Sequence, residues 1–319
     1  MADRKNIFKE RGIIMNVKLT KSIQDANCIT HAGTFHADEI FATIILSEIM
    51  DQIVLIRLPE VKESDYPEKL IYDIGGGKYD HHQVGGNGQR ENGVKYASCG
   101  LIWKNFGLEV LKKRGVRDAE RELVFNIVDR DIIQFIDSND NGQAPVIDTD
   151  YGFMHLSKII AQFNPCWDEE CDRDDNFYEA LQLAKIVWDN FLKNIIHKVA
   201  AKDFVDKAIE DSEDGIMILN RFMPWKEFVI DSTNPKAKDI NFIIFPSNRG
   251  GYCVYTIPVE KDSFESRKLF PVEWGGLRDQ ALQKATGVDT AKFCHNARFL
   301  CTTLTLKDAL KIASIAQKN

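Results

Sequence analysis

The sequence predicts an α/β protein whose N-terminal lobe carries a largely parallel sheet flanked by helices and whose C-terminal lobe is smaller and α+β. Three observations predict it. Strand-like and helix-like patterns alternate over residues 27–74, the middle of the chain repeats apolar residues at a period near 3.6, and β-branched and aromatic runs separated by turn residues take over from about residue 215. At 319 residues the chain has room for two domains of ordinary size.

After an N-terminal extension (residues 1–25), NCITH (27–31) reads as a short strand. EIFATIILSEIM (39–50) follows as a buried helix with an acidic first turn, and IVLIRL (53–58) and LIYDI (70–74) read as further strands before the GGG turn at 75–77. In such sheets ligands gather beyond the C-terminal strand ends, where His31 and Asp73 stand. Helices are expected over 101–114, 120–136, 151–163 and 176–211, with the charge run WDEECDRDD (167–175) as a solvated loop. A domain boundary is placed near Ser212, giving a first domain over 26–212 and a second over 213–319. In the second, GIMILN, EFVIDS, INFIIFP and GYCVYTIPV read as strands, and a helix spans 306–317 behind Thr305 as its N-cap.

Composition narrows the function. With 44% hydrophobic and 28% charged residues, 9 prolines and 20 glycines, the chain is of globular type. A net charge of −7 and a pI near 5.6 argue against a broad basic surface for long nucleic acid, so a phosphate-bearing substrate would need cations at a local site. No apolar run approaches a membrane span, and the opening MADRKNIFKERGIIMN lacks the apolar core of a secretory signal. Asp3 and Glu10 among Arg4, Lys5, Lys9 and Arg11 argue against a mitochondrial transit peptide. The expectation is an intracellular, cytoplasmic protein without membrane attachment, with nuclear and mitochondrial compartments left open; a homodimer is compatible with the sequence. The seven cysteines, odd in number and without a CxxC pair, read as reduced core thiols.

The histidines point to chemistry. Four of the seven lie between positions 31 and 82, each beside carboxylates: His31, His36, Asp38 and Glu39 in one cluster, Asp73, Asp80, His81 and His82 in another. Imidazole nitrogen with carboxylate oxygen is a ligand mixture suited to manganese, zinc, iron or magnesium in a hydrolytic site. Asp73, alone at the end of its strand, is the candidate to bridge two ions. A third acidic element, FIDSNDNG (135–142), offers Asp137 and Asp140, although Asn-Gly also makes an ordinary turn.

At these residues the sequence resembles the DHH phosphoesterase superfamily and, more closely, its melanocyte-proliferating-gene (MYG) exonuclease branch. An ordered series carries the resemblance: THAGTFHADE (30–39), YDIGGGKYDHHQ (72–83), FIDSNDNG (135–142), NPCW (164–167), RFMPWKEFV (221–229), FPSNRGG (245–251), FESRK (264–268) and WGGLRDQAL (274–282). The resemblance implies a DHH-type catalytic lobe with two metal ions, usually manganese, and a C-terminal lobe that presents substrate. It implies His31, His36 and Asp73 on one ion, and Asp38, Asp73, His81 and an aspartate of FIDSNDNG on the other. Asp140 is favoured there, with Asp137 as its supporting partner, and His82 would face the phosphate. The branch places histidine where the superfamily's first motif often has aspartate, one residue further on. Where the family has a small, glycine-containing stretch, this chain reads FCHNARFLCTT (293–303): Arg298, Cys301 and Thr302 replace small residues, and His295 remains as a substrate contact.

Two other C-terminal features have alternative readings. Trp225 and Trp274 read as packing residues rather than base-stacking platforms. Arg249 with Gly250 and Gly251 reads either as a phosphate contact or as a hairpin turn. The resemblance implies a 3′-to-5′ exonuclease acting on RNA or a short oligonucleotide through a two-metal water attack. The alternatives are hydrolysis of a small phosphoester, pyrophosphate or cyclic dinucleotide, and a metal-stabilised RNA-binding protein without turnover.

Overall fold

The computed structural model describes residues 15–148 and 150–319; the basic N-terminal stretch with Arg4, Lys5, Lys9 and Arg11 lies outside the described residues. The chain forms two compact units that divide between Ile196 and His197.

In the first unit four short strands, β1 (Val17–Leu19), β2 (Cys28–His31), β3 (Ile53–Leu58) and β4 (Leu70–Ile71), make an all-parallel sheet in the order β1-β3-β2-β4. β1 lies within the stretch read as an N-terminal extension. Ile29 of β2 stands opposite Ile56 of β3 and Ile71 of β4, and with Ala26 these side chains form one buried cluster on the sheet. Helix α1 (Ala37–Ser47) crosses between β2 and β3, as parallel pairing requires, and is buried from Ala37 through Leu46, which explains its nearly unbroken apolar run. The strand expected over 70–74 stops at Ile71. Asp73 takes φ +60°, a left-handed conformation that ends extended pairing.

Further helices of this unit are α2 (Ser98–Lys113), α3 (Asp118–Val128), α4 (Gln134–Asp140) and α5 (Leu156–Ala161). A π-helical turn at Asp129–Ile133 joins α3 to α4, so the helix expected over 120–136 continues to Asp140. Only the second half of the 151–163 pattern is helical. The long helix α6 (Arg173–Ala200), inside which the units divide, and α7 (Lys202–Glu210) replace the single pattern expected over 176–211. Trp103 of α2 stacks on Phe125 of α3 at 5.3 Å and meets Trp188 of α6 edge-on at 5.6 Å.

The second unit is built on a mixed sheet, β5 (Ile216–Ile218), β6 (Phe242–Pro246), β7 (Tyr252–Thr256), β8 (Ala291–Cys294) and β9 (Leu300–Thr303), in the order β5-β6-β7-β9-β8. Helices α8 (Lys226–Ile230), α9 (Lys236–Asp239), α10 (Asp279–Thr286) and α11 (Leu306–Lys318) accompany it. Alternation along β6 serves both faces: Phe242 and Ile244 join the core with Phe270, Trp274, α10 and α11, while Ile243 and Phe245 join Met217, Trp225 and α7. EFVIDS is therefore not a strand. Trp225 and Val229, four residues apart, are both buried in that second core, and this spacing belongs to the short helix α8. Both tryptophans lie in cores, and Thr305 caps α11, its Oγ1 accepting the Asp308 N–H at 3.1 Å. All seven cysteines are free thiols. Cys28, Cys99, Cys294 and Cys301 are buried and Cys253 is half-buried, whereas Cys166 and Cys171 are exposed rather than in the core. Among the described residues no helix is long and apolar enough to cross a membrane.

Candidate metal centre

β2 ends at His31, and its ring is oriented from behind. Nδ1–H donates to the Ala32 carbonyl at 3.0 Å, which turns Nε2 toward Glu39 Oε1 at 2.9 Å and Asp73 Oδ2 at 3.3 Å. His36 stands at the N-cap of α1, exposed, 5.6 Å from His31 ring to ring; its backbone N–H donates to both Glu39 oxygens. Glu39 is thus held by the helix start it caps, and His31, His36 and Glu39 bring three ligand atoms within 4.8 Å of one another.

Asp73 faces the second cluster with its other oxygen. Oδ1 lies 3.2 Å from His81 Nε2 and 3.5 Å from His82 Nδ1 and accepts the Ser98 hydroxyl at 3.2 Å. The same His81 Nε2 is 3.0 Å from Asp140 Oδ2 and 3.9 Å from Asp38 Oδ2. Asp73, His81 and His82 form one potential ligand group, and Asp38, His81 and Asp140 another. Asp73 thus lies between the two clusters.

The N-terminus of α2 sits beneath these carboxylates. Asp38 accepts the Ser98 and Cys99 N–H groups at 2.9 and 2.7 Å, and Asp137 accepts that of Gly100 at 2.9 Å. Otherwise unpaired first-turn amides therefore stabilise buried negative charge. Asp137 is fully buried and paired at 2.8 Å with Arg90, which also grips Asp129 with two further bonds. Of the two aspartates of FIDSNDNG, Asp140 points at His81, and Asp137 supports its helix from behind.

The centre crowds carboxylates around two imidazole nitrogens. Burial pushes the Asp38 carboxyl well up, with Asp73, Asp140 and Asp137 adding to the shift, and burial likewise raises Glu39. Burial alone would lower His31 and His81, but Asp73 with Glu39, and Asp140 with Asp73, outweigh it and push each to about 11. Burial would also raise Asp73, but these two imidazoles hold it well below the usual carboxylate range. His81 Nε2 is buried among three carboxylates with no aligned hydrogen bond to any of them. An orphaned imidazole nitrogen facing carboxylate oxygens is the donor arrangement a divalent ion satisfies, so the residues present fit such ions.

His82 is oriented by Asp80, whose Oδ1 accepts both its ring Nδ1–H at 2.9 Å and its backbone N–H at 3.0 Å. Its side chain is 59% exposed, and the Asp80 bond raises its pKa. The loop that carries Asp80 turns through Gly75 and Gly76, both with positive φ, and Gly76 N–H donates to Asp80 at 2.7 Å.

In the second unit Arg249, Gly250 and Gly251 form the tip of the β6–β7 hairpin. Gly250 and Gly251 take φ +89° and +71°, Ser247 N–H donates to Gly251 O, and a Cβ at Gly251 would lie 2.2 Å from Thr303 O. The turn accounts for both glycines, and Arg249 is exposed beside them. His295 is in the β8–β9 turn, accepting the Ala297 N–H on Nδ1 at 3.0 Å with its ring 4.3 Å from Phe299. Arg298 in the same turn takes φ +58°, a conformation that suits glycine, and donates to Phe270 O at 3.1 Å.

Among the residues of the centre that sequence reasoning left without a role are Glu39 and Arg90. Glu39 carried a signal, since an acid three residues after an N-cap is the capping-box spacing. Arg90 carried none, because its partners lie about 40 positions away in sequence.

Comparison with known proteins shows the family of the chain. The chain is 30% identical over 311 residues to an MYG1 protein of Schizosaccharomyces pombe, covering 89% of this chain and 95% of that one. It is 30% identical to an MYG1 protein of Caenorhabditis elegans over 89% and 93% of the two chains, and 27% identical to the MYG1 exonuclease of Homo sapiens over 91% and 86%. No solved structure matches. The family model described as "Uncharacterised protein family (UPF0160)" matches residues 27–316, a span that takes in both histidine clusters, the α4 aspartates and the whole second sheet, and the chain accordingly belongs to the MYG1 exonuclease family.

Proposed function

We propose that the chain is a metal-dependent phosphodiester hydrolase and, more narrowly, a 3′-to-5′ exonuclease acting on RNA. The observation that carries this reading is Asp73, buried with one oxygen toward His31 and the other toward His81. The rat, mouse and human relatives bear the name MYG1 exonuclease, which supports the nucleic-acid part of the reading.

His31, His36 and Glu39 would hold one ion, Asp38, His81 and Asp140 the other, and Asp73 would serve both. When bound, two divalent ions, for which manganese is the first choice and magnesium, zinc or iron the alternatives, would activate water and neutralise charge on the phosphoryl group. The chain's own contribution is placement. Ser98, Cys99 and the Ala32 carbonyl fix the ligands from behind, so that little reorganisation is needed when substrate binds. His82, with Nδ1–H on Asp80 and its pKa raised by that bond, would in its protonated form present Nε2–H as a donor to a phosphoryl oxygen. In the second unit we assign Arg249 to a substrate phosphate and His295, whose Nε2 is left over once Nδ1 is bonded, to substrate contact.

The test is release of nucleotide from oligoribonucleotides labelled at the 5′ or the 3′ end, with added manganese, beside the matching DNA and inorganic pyrophosphate. Stepwise shortening from the 3′ end of RNA is the expected result. Cleavage of pyrophosphate or dinucleotides alone would move the assignment to a small phosphoester, and metal uptake with RNA binding but no turnover of any substrate would leave a binding protein.

A further inference from the structure

We propose that Asn164, in the NPCW segment, is a positioning residue for the metal centre: it clamps the loop between His31 and His36 so that both imidazoles face one ion. The proposal rests on the metal-dependent reading above. The loop has four residues between its two ligands and no regular structure, and it must hold both rings to within about 0.5 Å of a productive geometry. Regular structure does not restrain it, and Gly33 within it takes φ +91° and has no side chain to pack.

Two side chains from distant elements supply the constraint. The Asn164 carboxamide accepts the Phe35 N–H at 3.0 Å and donates to the Phe35 carbonyl at 2.8 Å, so one side chain satisfies both backbone groups of the residue next to His36, as a neighbouring strand would. Phe35 itself is fully buried, edge-on to Phe177 at 5.5 Å. At the other end of the loop Arg57 donates to the carbonyls of His31 at 3.2 Å and Gly33 at 2.9 Å, and it is itself held by Asp174 at 3.2 Å and by the face of Phe177 at 4.4 Å. His31 has further support from β2, whereas His36 is exposed and takes its place from the loop before it and from the first turn of α1 after it. Loss of the Asn164 bonds therefore falls on the ion of His31, His36 and Glu39, and spares the ion of Asp38, His81 and Asp140, whose residues come from α1, α4 and the Asp80 loop.

The experiment titrates metal-free full-length protein with Mn2+ alone, reading free aquo-manganese by electron paramagnetic resonance, and records thermal unfolding of the same samples. Wild type is expected to take up two ions. Asn164→Ala should weaken one of them about 10–100-fold, the usual cost of losing an outer-shell partner, and leave the other unchanged. Should that variant not fold, Asn164→Asp, which keeps the acceptor for Phe35 N–H and loses the donor to its carbonyl, is titrated instead with the same expectation. Lowered thermal stability with both affinities unchanged, or equal weakening of both ions, would overturn the clamp and leave the metal reading standing. A wild-type chain that takes up no manganese would overturn the metal reading and this inference with it.

Discussion

Asp137 Oδ1 accepts the Gly100 N–H at 2.9 Å, and the two residues are packed so closely that a Cβ at position 100 would lie 1.9 Å from Asp137 Oδ2. The carboxylate is also paired with Arg90, whose Nη2 would itself lie 2.9 Å from that Cβ. Gly100→Ala should therefore destabilise the protein by about 1–3 kcal/mol, the usual cost of overfilling a packed interior. Urea unfolding measures this, and an unchanged midpoint would mean that α2 and α4 are less tightly coupled than the geometry requires.

Asp73→Asn preserves shape and suits the left-handed backbone at that position, yet removes the charge that faces both clusters. The expected outcome is a folded protein with less than full occupancy of either ion and activity reduced by at least about 100-fold, beyond what an outer-shell loss costs. Metal content by mass spectrometry beside turnover decides the point. Full occupancy with normal turnover would remove Asp73 from the bridging role.

The metal-free protein should lose stability as pH rises above neutrality. His31 and His81 are pushed up to about 11, above the roughly 6.5 of an unfolded histidine, so the stability they contribute is fully present below about pH 6.5 and is lost as pH climbs toward 11. Asp38 and Glu39, raised by burial, resist ionisation and act in the same direction. Divalent metal replaces these protons, so saturating metal should flatten the dependence and binding should release protons. Melting temperatures at pH 6.5 and 8.5 with and without metal, and calorimetry in two buffers, test both statements; a metal-free form that gains stability toward pH 8.5 contradicts them.

At Arg298 two effects oppose each other. Glycine there would relieve a left-handed strain of about 1–2 kcal/mol but lose the hydrogen bond to Phe270 O, worth about 0.5–1.5 kcal/mol, and add unfolded-state entropy. Arg298→Gly should thus change stability by less than about 1 kcal/mol. With the fold intact, any change in KM for RNA then reports on the β8–β9 turn beside His295. A large loss of stability would show that the Arg298 side chain, not the turn conformation, holds that corner.

Much of the first unit was legible because its signals are local. β3 coincides with IVLIRL, and α1 follows a strand that ends on His31, so the alternation of periods two and 3.6 exposes both elements. What escaped was set by partners far along the chain. EFVIDS has strand composition, but the core around Met217 and Phe245 selects the four-residue spacing of Trp225 and Val229. LIYDI was cut short by one backbone angle at Asp73 that no composition reveals. Glu39 looked like an ordinary acid in a first turn, and only the fold places it against His31.

The conformation of Asp73 also limits what the position can become. A residue at φ +60° must tolerate a backbone that most side chains avoid, which leaves glycine, asparagine and aspartate as comfortable occupants. Of those three, aspartate alone offers two oxygens and a full negative charge between His31 and His81. Chain stereochemistry and ligand chemistry are independent filters, and here they admit the same amino acid.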